Sequence, residues 1–148
     1  MKNGRLHAYE VLLRVAKVRE VRASLVLADA SAEVHTCHAH CDEVSTAQTA
    51  VSAASRMHAA DESSLDLARY EMLSNLDALL VEKRHVASDE LVVAERACLE
   101  HALAAVTAKR YREQIDGRVM ETSETLERTR FASQQEEAIE RWLGSERQ

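Results

Sequence analysis

Residues 6–58 read LHAYEVLLRVAKVREVRASLVLADASAEVHTCHAHCDEVSTAQTAVSAASRMH. Steps of three and four residues, taken alternately from Leu6, reach sixteen positions in this stretch, and twelve of them are apolar. A repeat of 3.5 residues keeps one side of an α-helix directed at a partner helix. The stretch therefore predicts a long coiled-coil helix with this seam: Leu6, Tyr9, Leu13, Ala16, Glu20, Ala23, Leu27, Ala30, Val34, Cys37, Cys41, Val44, Gln48, Val51, Ser55 and His58.

A second helix is predicted after a turn at about residues 61–63. Asp and Ser favour helix caps, and Ser63 with Asp66 three residues later resembles a capping box. Beyond Gly117 the heptad frame becomes irregular, and Gly144 is typical of a helix end. The predicted seam of this helix is Leu73, Leu76, Leu80, Lys83, Ala87, Glu90, Ala94, Ala97, His101, Ala104, Ala108, Tyr111 and Ile115.

These patterns predict an all-α fold, a long antiparallel two-helix coiled coil in one elongated domain, 1–148. The helices are expected at about residues 5–60 and 64–143, so the second is the longer. A turn near residue 62 makes the numbers of paired residues add up to about 125, and roughly 25 residues of the second helix then extend past the first. The alternative is a shorter bundle of three or four helices, with breaks near Ser88-Asp89 or Gly117.

Composition supports a protein with few turns. The 148 residues include no proline, three glycines and five aromatic residues, whereas β and α/β domains need many turns. The net charge of −6 argues against general affinity for nucleic acid. The charge is uneven: by count it is +4 over residues 1–22, −8 over 23–82 and −2 over 83–148.

The sequence favours a cytoplasmic protein that does not insert into a membrane. No apolar run approaches the roughly 20 residues that span a bilayer. Charges at Glu10, Arg14 and Lys17 interrupt any apolar core of a signal peptide. Three cysteines, an odd number, fit reduced thiols better than a disulfide framework.

One cluster holds side chains of the metal-ligating type: Cys37 and Cys41, with His35, His38 and His40 beside them. A structural zinc site needs four ligands, and the predicted pairing brings only His85 from the second helix. The simpler interpretation places both cysteines in the seam as small apolar residues. There is no glycine-rich phosphate loop and no recognisable triad, so we expect no metal, no cofactor and no enzymatic activity.

Two further features point to binding. Polar residues interrupt the predicted seams at Glu20, Gln48, Lys83, Glu90 and His101, where they fix the register or open the seam to a third element. Apolar residues also lie off the seams, which indicates either a partner surface or self-association. They are Val11, Leu12, Val15, Val18, Val21, Leu25 and Val26, and then Leu65, Leu67, Tyr70, Met72 and Leu79.

The chain resembles the FliJ/YscO (SctO-type) family, the small coiled-coil stalk proteins of type III secretion ATPase complexes. The likeness covers nearly the whole chain: a length near 150, a basic N-terminus leading into Leu6-x6-Leu13-x2-Ala16-x3-Glu20, and a first helix shorter than the second. The second helix opens with Tyr70-x2-Leu73-x2-Leu76, and residues 133–141 (SQQEEAIER) are rich in Gln, Glu and Arg.

The resemblance implies a non-catalytic component of a bacterial type III secretion system, cytoplasmic, at the inner-membrane export apparatus. Its partners would be the hexameric secretion ATPase, the export-gate protein and secretion chaperones. Carried onto this sequence, the ATPase-facing residues would be Arg5, Leu13, Arg14, Lys17, Arg128, Arg130, Arg141 and Trp142. The gate-facing residues would be Tyr70, Leu73, Leu76 and Leu80. The alternative function is a homo-oligomeric coiled-coil scaffold or tether.

Overall fold

The protein consists of two long helices in a computed structural model that describes residues 2–61 and 66–146. Helix α1 spans Lys2–Ala60 and helix α2 spans Leu67–Ser145, 59 and 79 residues respectively. The described residues contain no β-strand. The predicted all-α fold, with a second helix longer than the first, is therefore confirmed.

Asp66 determines where α2 begins. Its side-chain Oδ1 accepts hydrogen bonds from the backbone N–H groups of Ala68 (3.1 Å) and Arg69 (3.3 Å). Asp66 is thus the N-cap residue, which satisfies two donors that lack a partner inside the helix. The sequence placed Asp66 inside a helix that begins near residue 64, whereas α2 begins at Leu67. Ser63 and Leu65 lie outside the described residues.

The glycines of α2 do not interrupt it. Gly117 lies inside the continuous helix, as does Ser88-Asp89, so the alternative of a shorter bundle is wrong. Gly144 does not end the helix either, because no described glycine has a positive φ and α2 continues to Ser145. The final turn is closed by the Ser145 hydroxyl, which donates a 2.7 Å hydrogen bond to the carbonyl of Trp142.

The chain divides into two compact units, and each contains a piece of both helices. Unit 1 is formed by Met1–Ser24 and Ala104–Gln148, and unit 2 by Leu25–Leu103. By count, unit 1 carries fourteen Lys/Arg against eleven Asp/Glu, a net charge of +3. Unit 2 carries five against fourteen, a net charge of −9. These values add up to the −6 of the chain.

Contacts between the helices define the pairing in each unit. In unit 2, Arg84 bonds to Gln48 and His38 lies 3.4 Å from Glu95; these numbers add up to 132 and 133. In unit 1, Arg112 bonds to Glu20, and the numbers again add up to 132. Also in unit 1, Arg5 and Leu126 line one groove, and their numbers add up to 131. In each unit the residue numbers rise along one helix as they fall along the other, so the helices are antiparallel in both.

The predicted register, with a sum of about 125, is wrong by seven residues. One cause is the later start of α2 at Leu67. The other is that residues 67–72 are all exposed, so that Leu73 is the first buried residue of α2. Seven residues make one heptad, so a shift of this size does not by itself change the face that either helix presents to the other.

The predicted seam of α1 faces α2 as expected. All sixteen of its positions are buried or half-buried. Ala16 in unit 1 is fully buried, and Val44 in unit 2 is 6% exposed. Cys37 and Cys41 are half-buried seam residues, which agrees with the simpler interpretation of the cysteines.

The predicted seam of α2 is correct at eight of its thirteen positions, which are buried or half-buried. Leu73, Ala87, Ala94 and Ile115 are buried. However, Leu76, Lys83, Glu90, Ala104 and Tyr111 are exposed, because the seam advances from Leu73 by four residues and not by three. The seam is Leu73, Asp77, Leu80, Arg84, Ala87, Leu91, Ala94, Cys98, His101, Ala105, Ala108, Arg112, Ile115, Val119, Thr122 and Leu126. Arg84 is exposed, and we include it because it bonds to Gln48 of the α1 seam. The seam remains in frame beyond Gly117.

Candidate binding surfaces

In unit 1, the first turns of α1 form a groove with α2. Its volume is about 370 Å³, and Arg5 and Tyr9 line it from α1. Leu126 closes it from α2 and is the last buried residue of that helix. The groove lining also includes Arg118, Glu121, Thr122 and Thr125. Because Arg118 already pairs with Glu121 at 3.2 Å, Arg5 is the cation of this groove that has no ion pair among the described residues.

Beyond Leu126, every described residue of α2 is exposed. This exposed segment, residues 127–146, forms no contact with α1 that buries a side chain. Its large apolar residues fall within about one third of the helix circumference at 3.6 residues per turn. They are Phe131, Ile139, Trp142 and Leu143, from 49% to 62% exposed. At 1.5 Å per residue the segment is about 30 Å long.

The outer side of α1 in unit 1 carries a second uncovered apolar surface. Val11, Val15 and Val18 follow one another at steps of four and three residues and are about half-exposed. A shallow groove along them is lined by Arg14, Val15, Val18, Arg19 and Arg22. This surface combines an apolar stripe with basic side chains. We refer to it as the basic stripe.

The eight residues assigned to ATPase binding by the resemblance lie in these parts of unit 1. Arg5 lines the groove, and Arg14 and Lys17 are exposed on α1. Leu13 is a half-buried seam residue, so its side chain packs against α2. Arg128, Arg130, Arg141 and Trp142 belong to the exposed segment. There Arg128 pairs with Glu124 and Arg141 with Glu137.

The four gate-facing residues are split between the surface and the seam of unit 2. Tyr70 and Leu76 are exposed. Leu73 is only 8% exposed and Leu80 is half-buried, so both stabilise the pairing of the helices. A partner that binds here can therefore reach Tyr70 and Leu76 directly, but it reaches Leu73 only if the seam opens.

The histidine and cysteine cluster is dispersed around α1. His38 contacts Glu95 and His40 contacts Glu43, while His85 does not lie opposite the cysteines in the observed register. No group of three His, Cys, Asp or Glu residues suited to a metal ion occurs in the described part of the chain. Burial raises the pKa of the Cys37 thiol, and the negative charges of Glu33 and Glu90 raise it further.

Unit 2 contains a groove that was not predicted from the sequence. It has a volume of about 480 Å³ and is lined by Glu33, Cys37, Val86, Asp89, Glu90, Val93 and Ala94. The signal was present in the sequence, since Met72, Leu76, Leu79, Val86 and Val93 keep a heptad spacing of their own. The predicted heptad phase of α2 differs from the observed phase by one residue at such positions, so the prediction assigned Leu76 of this stripe to the seam.

The comparisons with known proteins found no match to a family model, to a curated protein or to a solved structure. No stretch of the described helices is both long enough and apolar enough to cross a lipid bilayer.

Proposed function

We propose that the chain is a non-catalytic stalk protein of a bacterial type III secretion system, which binds the secretion ATPase through unit 1 and promotes protein export. The observation that carries this proposal is the exposed segment 127–146. It is a helix of about five to six turns whose apolar side chains have no partner in the described chain. Exposed apolar surface of this kind marks a site for another protein.

The charge of unit 1 supports the same partner. A stalk that enters the centre of a hexameric ATPase must approach its pore from solution, and a unit with net charge +3 is attracted to acidic pore loops. The resemblance to the FliJ/YscO family supplies the identity of that ATPase. In this proposal Tyr70 and Leu76 of unit 2 face the export gate, and secretion chaperones are further partners. The protein would work in the cytoplasm, at the export apparatus.

A second candidate function is a homo-oligomeric scaffold or tether, which is favoured by the basic stripe of α1. Val11, Val15 and Val18 have the 3–4 spacing of a coiled-coil seam and are uncovered. A second copy could cover them. The two functions differ in stoichiometry, since a stalk is monomeric alone and binds as one copy per ATPase hexamer.

Light scattering with and without the secretion ATPase distinguishes these functions. We expect a monomer alone and one copy bound per hexamer, with stimulation of ATP hydrolysis. The variant Phe131→Ser/Trp142→Ser should lose binding while its helicity, measured by circular dichroism, is unchanged. A matched control is Val92→Ser/Leu99→Ser, which changes exposed apolar residues of unit 2. A stable homodimer that does not bind the ATPase would overturn the stalk proposal.

A further inference from the structure

Helix α2 carries a second heptad stripe in unit 2, next to the seam that it shares with α1. The stripe is formed by five exposed apolar residues, Met72, Leu76, Leu79, Val86 and Val93, whose exposure ranges from 38% to 66%. Lys83 and Glu90 fill the two remaining positions, so the stripe alternates steps of four and three residues for three heptads. A helix with two adjacent heptad stripes can pack against two helices at once. In unit 2, α1 covers only one of them.

The uncovered stripe borders the groove in unit 2. Val86, Glu90 and Val93 line the α2 side of this groove, and Glu33 and Cys37 line the α1 side. Its floor includes Ala94, which is 6% exposed and belongs to the seam. The groove therefore lies between the two helices, in the position that a third helix occupies in a three-helix coiled coil.

Three carboxylates give the groove its charge. Glu33, Asp89 and Glu90 line it, and none of them has an ion pair within 4.0 Å among the described residues. They belong to a unit whose net charge is −9. The side chains best suited to such a groove are apolar along the centre and basic along the edges, because a cation there meets unpaired carboxylates.

We propose that this groove binds a basic amphipathic helix of a partner protein, with aliphatic residues at heptad a and d positions on the stripe and Lys or Arg facing Glu33, Asp89 and Glu90. A second copy of the chain is disfavoured as the occupant. Two copies with a net charge of −6 repel each other at long range. In addition, if the basic stripe of one copy filled the groove of the next copy, each such pair would still have a free groove at one end and a free basic stripe at the other. Further copies would then add at both ends and form an open filament.

The site is separate from the proposed contacts with the ATPase, since it lies in unit 2 and those contacts lie in unit 1. It shares Leu76 with the residues proposed to face the export gate. A partner that fills it would contact α2 along residues 76–93, and it would form a three-helix arrangement with α1 and α2 there.

The test uses the full chain and a fluorescent peptide of about 28 residues, four heptads, with Leu at heptad positions a and d and Lys at e and g. A second peptide, with Glu at e and g, is the control for charge. Fluorescence anisotropy should show binding of the basic peptide that weakens with added salt, and no binding of the acidic peptide. Val86→Ser/Val93→Ser should weaken binding about tenfold or more, as should Glu33→Lys/Glu90→Lys. Val81→Ser/Val92→Ser, which changes two exposed valines off the stripe, should bind like the wild type.

Cys37 gives a second readout at the same place. In a Cys41→Ser/Cys98→Ser background, the basic peptide should protect Cys37 from alkylation. Absence of binding, or equal binding to wild type and to Val86→Ser/Val93→Ser, would overturn the proposal, because the attraction would then be absent or merely electrostatic. Light scattering that detects a homo-oligomer broken by Val86→Ser/Val93→Ser would also overturn it, since a second copy would then fill the groove.

Discussion

Arg112 Nε donates a 2.8 Å hydrogen bond to Glu20 Oε2 across the seam of unit 1. Both side chains are about three quarters buried, and the carboxylate raises the pKa of Arg112 further above its ordinary value. The corresponding pair in unit 2 is Arg84 and Gln48, at 3.3 Å. Along each helix the two pairs are 28 residues apart, which is four heptads. Both pairs therefore favour the same register.

Reversing the charges of this pair tests its role. Glu20→Arg and Arg112→Glu should each lower the thermal midpoint, because each places two like charges in the seam. The double variant Glu20→Arg/Arg112→Glu should recover most of the loss. The exposed pair Glu124–Arg128 is the control, since reversal of either residue there should change the midpoint little. Losses at positions 20 and 112 that simply add up in the double variant would contradict the coupling.

Chemical crosslinking tests the register in unit 2. In a background with all native cysteines changed to serine, His38→Cys/Glu95→Cys should be joined readily by a short bifunctional maleimide, because the side chains that these cysteines replace meet at 3.4 Å. His38→Cys/Ser88→Cys is the matched control, one heptad away and close to the pairing predicted from the turn. It should be joined much more slowly. Preferential crosslinking of positions 38 and 88 would restore the sequence-based register.

Truncation of Leu73 tests the assignment of the α2 seam. Leu73→Ala should cost about 2–3 kcal/mol in the free energy of unfolding, because the side chain is only 8% exposed. Leu79→Ala removes the same atoms from a side chain that is 48% exposed and should cost less than about 0.5 kcal/mol. Urea titration followed by circular dichroism measures both values, and similar costs would place Leu79 in a buried seam too.

Capping of α2 should depend on the side-chain oxygen of Asp66, which accepts the hydrogen bonds. Asp66→Ala should cost about 1 kcal/mol in the free energy of unfolding, since it leaves the N–H groups of Ala68 and Arg69 without their acceptor. Asp66→Ser keeps an acceptor and should lose much less. If urea titration shows that Asp66→Ala and Asp66→Ser are equally destabilised, hydrogen bonding by the side chain at position 66 is not the cause of the lost stability.

The raised pKa of Cys37 gives a pH-dependent prediction. At about pH 8 the folded protein holds less thiolate at this position than the unfolded chain, so alkylation of a Cys41→Ser/Cys98→Ser variant should be slower in buffer than in urea. The same shift makes the free energy of unfolding depend on pH. As the pH rises, the thiol ionises in the unfolded chain before it ionises in the folded protein. The contribution of Cys37 to the free energy of unfolding is therefore complete below the ordinary pKa of 9.0 and falls as the pH rises above it. Cys37→Ser should reduce that decline.

The two helices and the paired face of α1 could be predicted from the sequence. Heptad periodicity is a local property of the chain, and all sixteen positions read from it face α2. It also predicted that Glu20 and Gln48 interrupt the seam, although not their partners. The groove between Cys37 and Val93 was missed because the phase of α2 was taken from its apolar residues alone.

The register and the seam of α2 depend on contacts between the helices. A shift by one heptad brings the same faces together, so the pattern of either helix is compatible with several registers. The heptad pattern does not predict Arg84 and Arg112 as seam residues, because both are charged. Their place in the seam is explained by their partners on the other helix, Gln48 and Glu20. Residues 127–146 continue α2 but are exposed, and a pairing sum of 132 places only residues 127–130 opposite residues of α1.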